Sequence, residues 1–432
     1  MRPARLLLAL LLLWAVAGAF VLVTERPMAQ WLYLGGVLAV IAAADAIALW
    51  RQPTPQVQRH LPDAVSLGVQ CEAVLTLDSY QRMRVDVFDL VPEAWTSSGM
   101  PRTLTLPAAS QTRLRYALTA HQRGDFRFAG TYLRLYSRWR LWRQLRTAPT
   151  AHTVRVYPDF APLARLALFS AEQASRLVGA HIQRRRGEGT DFHQMRDYRV
   201  GDSLRQIDWK ATARARKLIS RDYQDEKNQQ VVLLLDRGRR MLAHEDGLSH
   251  FDHVLNAALV VSYLALRQGD AVGMFAPGQD KRWVAPRRGM GALDLLLRAS
   301  YDLQPEPVAT DYLAAASELA LRQRRRSLVM LVSNVRDEDM DELLGAVRLL
   351  EKRHLVCVAS LRERELDDAL CNDVDSLDDA VQAGAIALYL QQRQRAHDAL
   401  RSHRVMVLDV TAEQLPGALV ERYLSVKREG LL

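Results

Sequence analysis

Two apolar runs near the amino end constrain this 432-residue chain more than any other feature. Residues 6–23 carry no charged side chain, and residues 31–50, bounded by Trp31 and Trp50, hold only Asp45. A bilayer's hydrocarbon core takes about 20 apolar residues as a helix, so each run is long enough to cross it. The loop between them holds Glu25 and Arg26, which offset each other, while Arg2 and Arg5 precede the first run and Arg51 and Arg59 follow the second. Lys and Arg concentrate on the cytosolic side of a membrane. This placement predicts a two-helix hairpin with its amino end and the long remainder in the cytosol. Ala17-Gly18-Ala19 resembles a signal-peptide cleavage site, but the second run would still hold a cleaved chain in the membrane. Asp45 is an ionisable group inside a predicted span, which raises a functional role. Its place near the cytosolic end offers a plainer one.

The remaining chain is expected to fold around sizeable cores, with 49% hydrophobic and 25% charged residues. The net charge of +9 admits nucleic acid or an anionic membrane surface as partner. It is equally what Lys and Arg facing lipid produce. Cys71, Cys357 and Cys371 show no metal-ligand spacing and read as ordinary thiols of a reducing compartment.

From residue 51 to residue 160 the hydrophobic pattern has period two. Met83, Val85 and Val87 alternate with Arg84 and Asp86, Leu114, Tyr116 and Leu118 with Arg113 and Arg115, and Phe126 and Phe128 flank Arg127. Such alternation marks half-buried strands, and several of them between Pro- and Gly-containing turns predict a β-sandwich-like domain. The run Arg138-Trp139-Arg140-Leu141-Trp142-Arg143 interleaves cations and aromatics. It reads either as a nucleic-acid or lipid-headgroup contact or as a connecting segment with packed tryptophans. Arg184-Arg185-Arg186 is a short basic triplet that reads as a solvated loop, with an acidic partner as the alternative.

Residues 187–214 are dense in special residues. Gly201 suits a turn that needs positive φ, and Asp202 after it suits a helix N-cap. Ile207, Trp209 and Ala213 can line one face of a short helix, on which Arg205 and Asp208 are neighbours. Gly189, Phe192, Arg196, Tyr198, Gly201, Asp202, Arg205, Ile207, Asp208, Trp209, Ala213 and Arg214 reproduce, in register, a pattern that resembles the signature of the domain of unknown function 58 family. The resemblance implies a bacterial protein of the cytoplasmic membrane and a partnership with a MoxR-type AAA+ ATPase. It implies no settled chemistry.

From residue 229 apolar strands alternate with helical patterns. Strands are expected at 231–235, 271–276, 327–333, 355–360 and 405–410, with helices near 251–267, 291–301, 312–323, 338–352, 378–402 and 412–425. This alternation predicts a doubly wound parallel sheet. The first strand ends in Asp236, and the order resembles the von Willebrand factor type A fold. In that fold the following loop often reads Asp-x-Ser-x-Ser and helps hold a divalent metal. Here Gly238 and Arg240 occupy the serine positions, and Asn334 stands where an Asp is common. The site therefore reads as degenerate, with no metal or other cofactor expected and Asp236 paired locally with arginine.

The chain has no Gly-x-Ser-x-Gly elbow, no Walker phosphate loop and no His-Glu-x-x-His helix. Gly187-Glu188-Gly189 is too short to cradle a nucleotide, and His193 is a lone histidine. Asp191, Asp197, Asp202 and Asp208 could be arranged as a two-metal centre, but capping and ion pairing account for Asp202 and Asp208 more simply. The expected organisation is a membrane hairpin over 1–50, a β-rich sandwich-like domain over 51–160, a helical signature region over 161–230 and a von Willebrand factor A-like α/β domain over 231–432. The expected function is a membrane-anchored protein-interaction or assembly factor without chemistry of its own. The alternative is a membrane-associated nucleic-acid-binding or metal-dependent nuclease-like protein.

Overall fold

The computed structural model describes residues 1–24, 28–161, 191–199, 207–224, 229–371, 373 and 376–431. Gly189, Gly201, Asp202, Arg205 and the triplet 184–186 lie outside the described residues, as does the side chain of Phe192. The chain forms two compact units, Met1–Tyr157 and Pro158–Leu432.

The first unit opens with a two-residue strand, β1 (Arg2–Pro3), then the helices α1 (Arg5–Val23) and α2 (Met28–Arg51), both long and apolar enough to cross a membrane. Small residues let the helices approach closely. Trp14 and Trp31 stack with ring centroids 4.3 Å apart, and each indole N–H donates to the other residue's carbonyl. A Cβ on Gly18 would meet the Trp31 ring at 2.7 Å, and one on Gly35 would meet Trp14 at 2.7 Å. Trp31 is thus a packing residue of the hairpin.

Eleven further strands follow: β2 (Gln56–His60), β3 (Ala64–Ser66), β4 (Gln70–Ser79), β5 (Met83–Asp89), β6 (Trp95–Ser98), β7 (Arg102–Leu106), β8 (Ser110–Ala120), β9 (Gly124–Phe128), β10 (Thr131–Tyr136), β11 (Trp142–Ala148) and β12 (His152–Tyr157). They make a five-stranded sheet β1-β11-β10-β5-β7, a four-stranded sheet β2-β4-β8-β6 and a three-stranded sheet β3-β12-β9. The period-two pattern sorts as its spacing requires. Leu114, Tyr116 and Leu118 are buried while Arg113 and Arg115 are exposed. Asp86 departs from the pattern. It is buried because Thr103 and Tyr136 donate hydroxyls to it. The four- and five-stranded sheets are tied by a buried ion pair, Arg59 to Asp89, to which Tyr116 and Thr131 add hydroxyl donors. Breaking such a pair from one side costs about 3–5 kcal/mol.

The arginine–tryptophan run divides its side chains between packing and solvent. Leu141 is buried, and the Trp142 indole donates to the Ala42 carbonyl of α2 at 2.8 Å. Trp139 is exposed, while its backbone N–H reaches the Asp45 carboxylate at 3.3 Å. Arg146 closes the end of α2, donating to the carbonyls of Leu49, Trp50 and Gln52 and to the Thr54 hydroxyl. The last carbonyls of a helix lack the i+4 donors of its interior, and Arg146 adds here to the single backbone bond from Gln52 N to Leu49 O. Asp45 therefore helps join α2 to the strands of its own unit.

In the second unit, β13 (Asp191–Asp197) and β14 (Ile219–Gln224) pair antiparallel around the short helix α3 (Trp209–Ala215). The expected helical region thus holds a strand pair as well as a helix. Then come β15 (Gln230–Leu235), the short pair β16 (His244–Glu245) and β17 (Leu248–Ser249), α4 (His250–Arg267), β18 (Ala271–Ala276), β19 (Arg282–Arg287), α5 (Gly291–Ser300) and α6 (Tyr312–Arg322). The chain closes with β20 (Leu328–Ser333), α7 (Met340–Glu351), β21 (Leu355–Arg362), α8 (Arg364–Cys371), α9 (Leu377–Ser402), β22 (Met406–Thr411) and α10 (Leu415–Glu429).

The main sheet has the order β19-β18-β15-β20-β21-β22, parallel except for β19. The five predicted strands are present, and β19 is a sixth. Its sequence Arg-Trp-Val-Ala-Pro-Arg shows too little alternation to stand out, and Pro286 argues against a strand except at an edge, where it lies. Gly273 permits this pairing: a Cβ there would meet the Val284 carbonyl at 2.7 Å. Val231 to Leu235 are all buried because helices cover both faces, α4, α5 and α10 on one and α6 and α7 on the other.

Candidate functional site

At the carboxyl end of β15 the chain turns through Asp236 into the loop leading to Arg240. Open parallel sheets bind ligands at this edge. Asp236 is 2% exposed, and four donors converge on its carboxylate. One oxygen accepts from Gly238 N at 2.7 Å and from the Thr310 hydroxyl. The other accepts from Ser333 Oγ at 2.5 Å and Tyr312 Oη at 3.1 Å. Burial first, and then the Asp236 charge, push the Tyr312 hydroxyl above its ordinary pKa, so it stays a donor. The expected arginine partner is not among the carboxylate's hydrogen bonds. Arg240 instead forms ion pairs with Asp339 and, at 2.8 Å, with Glu338. Neutral hydroxyls won because the arginine at this position reaches the acidic turn before α7.

Gly238 also has a steric cause. A Cβ there would collide with the Thr310 hydroxyl and meet Val308 O at 3.1 Å. A serine at this position would displace Thr310. The cavity beside Asp236, Thr310, Tyr312 and Arg240 measures about 20 Å³, room for about one water. Mg²⁺ demands octahedral oxygen ligands and retains several waters, so the residues present do not fit it. Asn334, the fourth predicted position, turns its side chain elsewhere: its amide donates to Glu363 Oε1 at 2.7 Å and its oxygen accepts from Arg393.

Arg393 is the centre of a second buried constellation. This α9 side chain is 2% exposed. Its guanidinium donates to Asp409 at 3.0 Å, Ser360 Oγ at 2.6 Å, Asn334 Oδ1 at 3.1 Å and the carbonyls of Val335 and Leu361. It thereby ties the ends of β20, β21 and β22. His397, one turn along α9, is fully buried, with Asp409 at 3.7 Å. Burial holds its pKa down to about 4, with Asp409 opposing. Nothing in the local sequence marked Thr310, Tyr312, Arg393 or His397, and Ser333 was legible only as the strand end beside Asn334. They meet only because parallel strands end at one edge.

In the signature, Asp208 is buried and opens α3 as its N-cap, accepting from Ala211 N at 3.0 Å. The cap assigned to Asp202 from the sequence is thus supplied for this helix by Asp208. Ile207 is buried and bridges to Ser220, and Thr212 Oγ1 accepts from Ile219 N at 3.0 Å. The expected apolar face does not form. Trp209 is 67% exposed, and Ala213 and Arg214 are exposed too. The helix starts at Trp209, after its Asp208 cap, so Ile207 lies outside it and packs by its bridge to Ser220 instead of sharing a helical face with Trp209 and Ala213. Tyr198 and Arg196 are half-buried on and just after β13, and Asp197 pairs with Lys217 at 2.9 Å.

Residues 194–405 match the family described as Protein of unknown function DUF58. No protein of curated function matches the chain. Among solved structures it is similar to an aerotolerance-related membrane protein from Bacteroides fragilis, at 14% identity over 46% of this chain and 98% of that one, with a TM-score of 0.29. It is also similar to a CARDB domain from Pyrococcus furiosus, at 15% identity over 24% of this chain and 95% of that one, with a TM-score of 0.17.

Proposed function

With residues 194–405 belonging to the DUF58 family, we propose that this chain is a membrane-anchored interaction or assembly factor acting with a MoxR-type AAA+ ATPase, without chemistry of its own. Two amino-terminal apolar helices anchor it, and the bulk lies in the cytosol of a bacterial cell. The strand order, with a first strand flanked by the second and fourth and an antiparallel third strand at the edge, supports a von Willebrand factor A-like domain.

One observation carries the reading. The carboxylate that such a domain would offer to a metal is already held by Gly238, Thr310, Tyr312 and Ser333. A pre-formed hydrogen-bonded edge suits a docking surface better than an ion-dependent one. The carboxyl edge around it is acidic, with Asp337, Glu338, Asp339 and Asp341 in one turn. No cofactor is part of the proposal.

The test is affinity purification of the full chain from detergent-solubilised membranes, with ATP and without. Co-purification of an AAA+ ATPase that responds to nucleotide is the expected result, and its absence in both states would overturn the partnership. The alternative, nucleic-acid binding, is separated by salt. Phosphate contacts weaken steeply with ionic strength, whereas a packed protein interface does not.

A further inference from the structure

The two edges of the main sheet carry opposite charge. Parallel strands bring the amino ends of β15, β18, β20, β21 and β22 to one edge, and antiparallel β19 delivers its end there, with Arg287 opposite Val272. The turns at this edge expose Arg287, Arg288, Arg324, Arg326, Lys352 and Arg353. Of the acids nearby, Asp294 in the first turn of α5 is exposed, and the others are occupied. Asp270 is buried against Lys427 and Tyr423, Asp398 is held by Arg401 and Gln394, Glu429 accepts from Ser425, and Glu351 is half-buried.

Helix ends explain part of this charge, since cations suit helix C-termini. They do not explain Arg287 and Arg288, which precede the amino end of α5, where the helix dipole disfavours a cation. Met290, 45% exposed, adds an apolar side chain beside them. None of the exposed aromatic side chains lies in these turns, so the turns offer no stacking platform for single-stranded nucleic acid. The chain that follows the two apolar helices in sequence enters the sheet at this same edge, through β15.

We propose that the basic amino edge of the α/β domain rests on anionic lipid headgroups of the membrane that anchors the chain, leaving the acidic carboxyl edge around Asp236 turned outward to partners. This rests on the anchoring proposed above. A tether raises the local concentration of domain and surface, and a polybasic surface beside a bilayer is attracted to anionic lipid within a Debye length of about 10 Å.

The experiment uses the full chain reconstituted in phosphatidylcholine vesicles, with and without phosphatidylglycerol. Native Cys371, exposed on α8 after the carboxyl end of β21, takes a donor dye at one edge. Ser402→Cys in a Cys371→Ser background places it at the other, and both chains carry Cys71→Ser. Energy transfer from position 402 to a headgroup acceptor is expected to rise about twofold with anionic lipid and to fall back in high salt. Transfer from position 371 should not rise. Arg288→Glu, Arg324→Glu and Arg353→Glu together should abolish the response without lowering Tm, and salt supplies the same test without substitution. Equal transfer with and without phosphatidylglycerol, or a response only to added RNA or DNA, would overturn the inference alone. Loss of the chain from vesicles on carbonate washing would overturn the anchoring and this inference with it.

Discussion

Asp208 receives the amide of Ala211 at 3.0 Å, which makes it the N-cap of α3. Losing a cap costs about 1 kcal/mol. Asp208→Ala should lower Tm by about 2–4 °C, by the scaling for a unit of this size, and Asp208→Asn, which can still cap, should restore most of it. Thermal unfolding of the purified chain measures both. Asp236 belongs to the same scale. Its four donors leave no oxygen pair facing open space, so Mg²⁺ should leave Tm unchanged. A saturable rise that EDTA reverses would show that the loop rearranges to take a metal.

Between elements, one arginine closes the end of α2 against its strands. Arg146 on β11 satisfies three carbonyls at the end of α2 and the Thr54 hydroxyl. A hydrogen bond from a charged donor contributes about 1.5–3 kcal/mol. Arg146→Ala should therefore destabilise the detergent-solubilised chain by at least that much and expose residues 52–55 to protease. Arg138→Ala, at an exposed position of the same basic run, should stay within about 0.5 kcal/mol of the parent. The paired tryptophans of the hairpin follow the same logic, since each ring occupies the space that a glycine leaves on the facing helix.

For the whole chain, stability depends on pH through buried histidines. Burial pushes His397 down to about 4 and lowers His250 and His354 below the ordinary value of 6.5. The unfolded chain then binds more protons than the folded one below about pH 6.5, so the folded state loses stability as pH falls from there towards about 4. Tm measured across this range should decline, and His397→Gln should flatten the decline. Topology is the other molecular-scale test. A reporter fused after Leu432 should be active only in the cytosol, and periplasmic activity would reverse the orientation inferred from Arg2, Arg5, Arg51 and Arg59.

Local pattern alone determined the elements that depend on local pattern. The two apolar runs, the alternation of β8 and the five parallel strands were all legible, because side-chain periodicity follows backbone geometry within a single element. The family signature was legible as residues in register, but not as a strand pair around a helix capped by Asp208. Only the tertiary structure decided who meets whom. Thr310 and Tyr312 at the start of α6 and Ser333 at the end of β20 come from two distant segments to surround Asp236. Trp142 and Arg146 reach back about a hundred residues to hold α2. Arg393 gathers three strand ends. The edges of opposite charge arise the same way. Parallel strands collect distant turns on one side, and charge that is scattered along the chain becomes a surface only when the sheet is built.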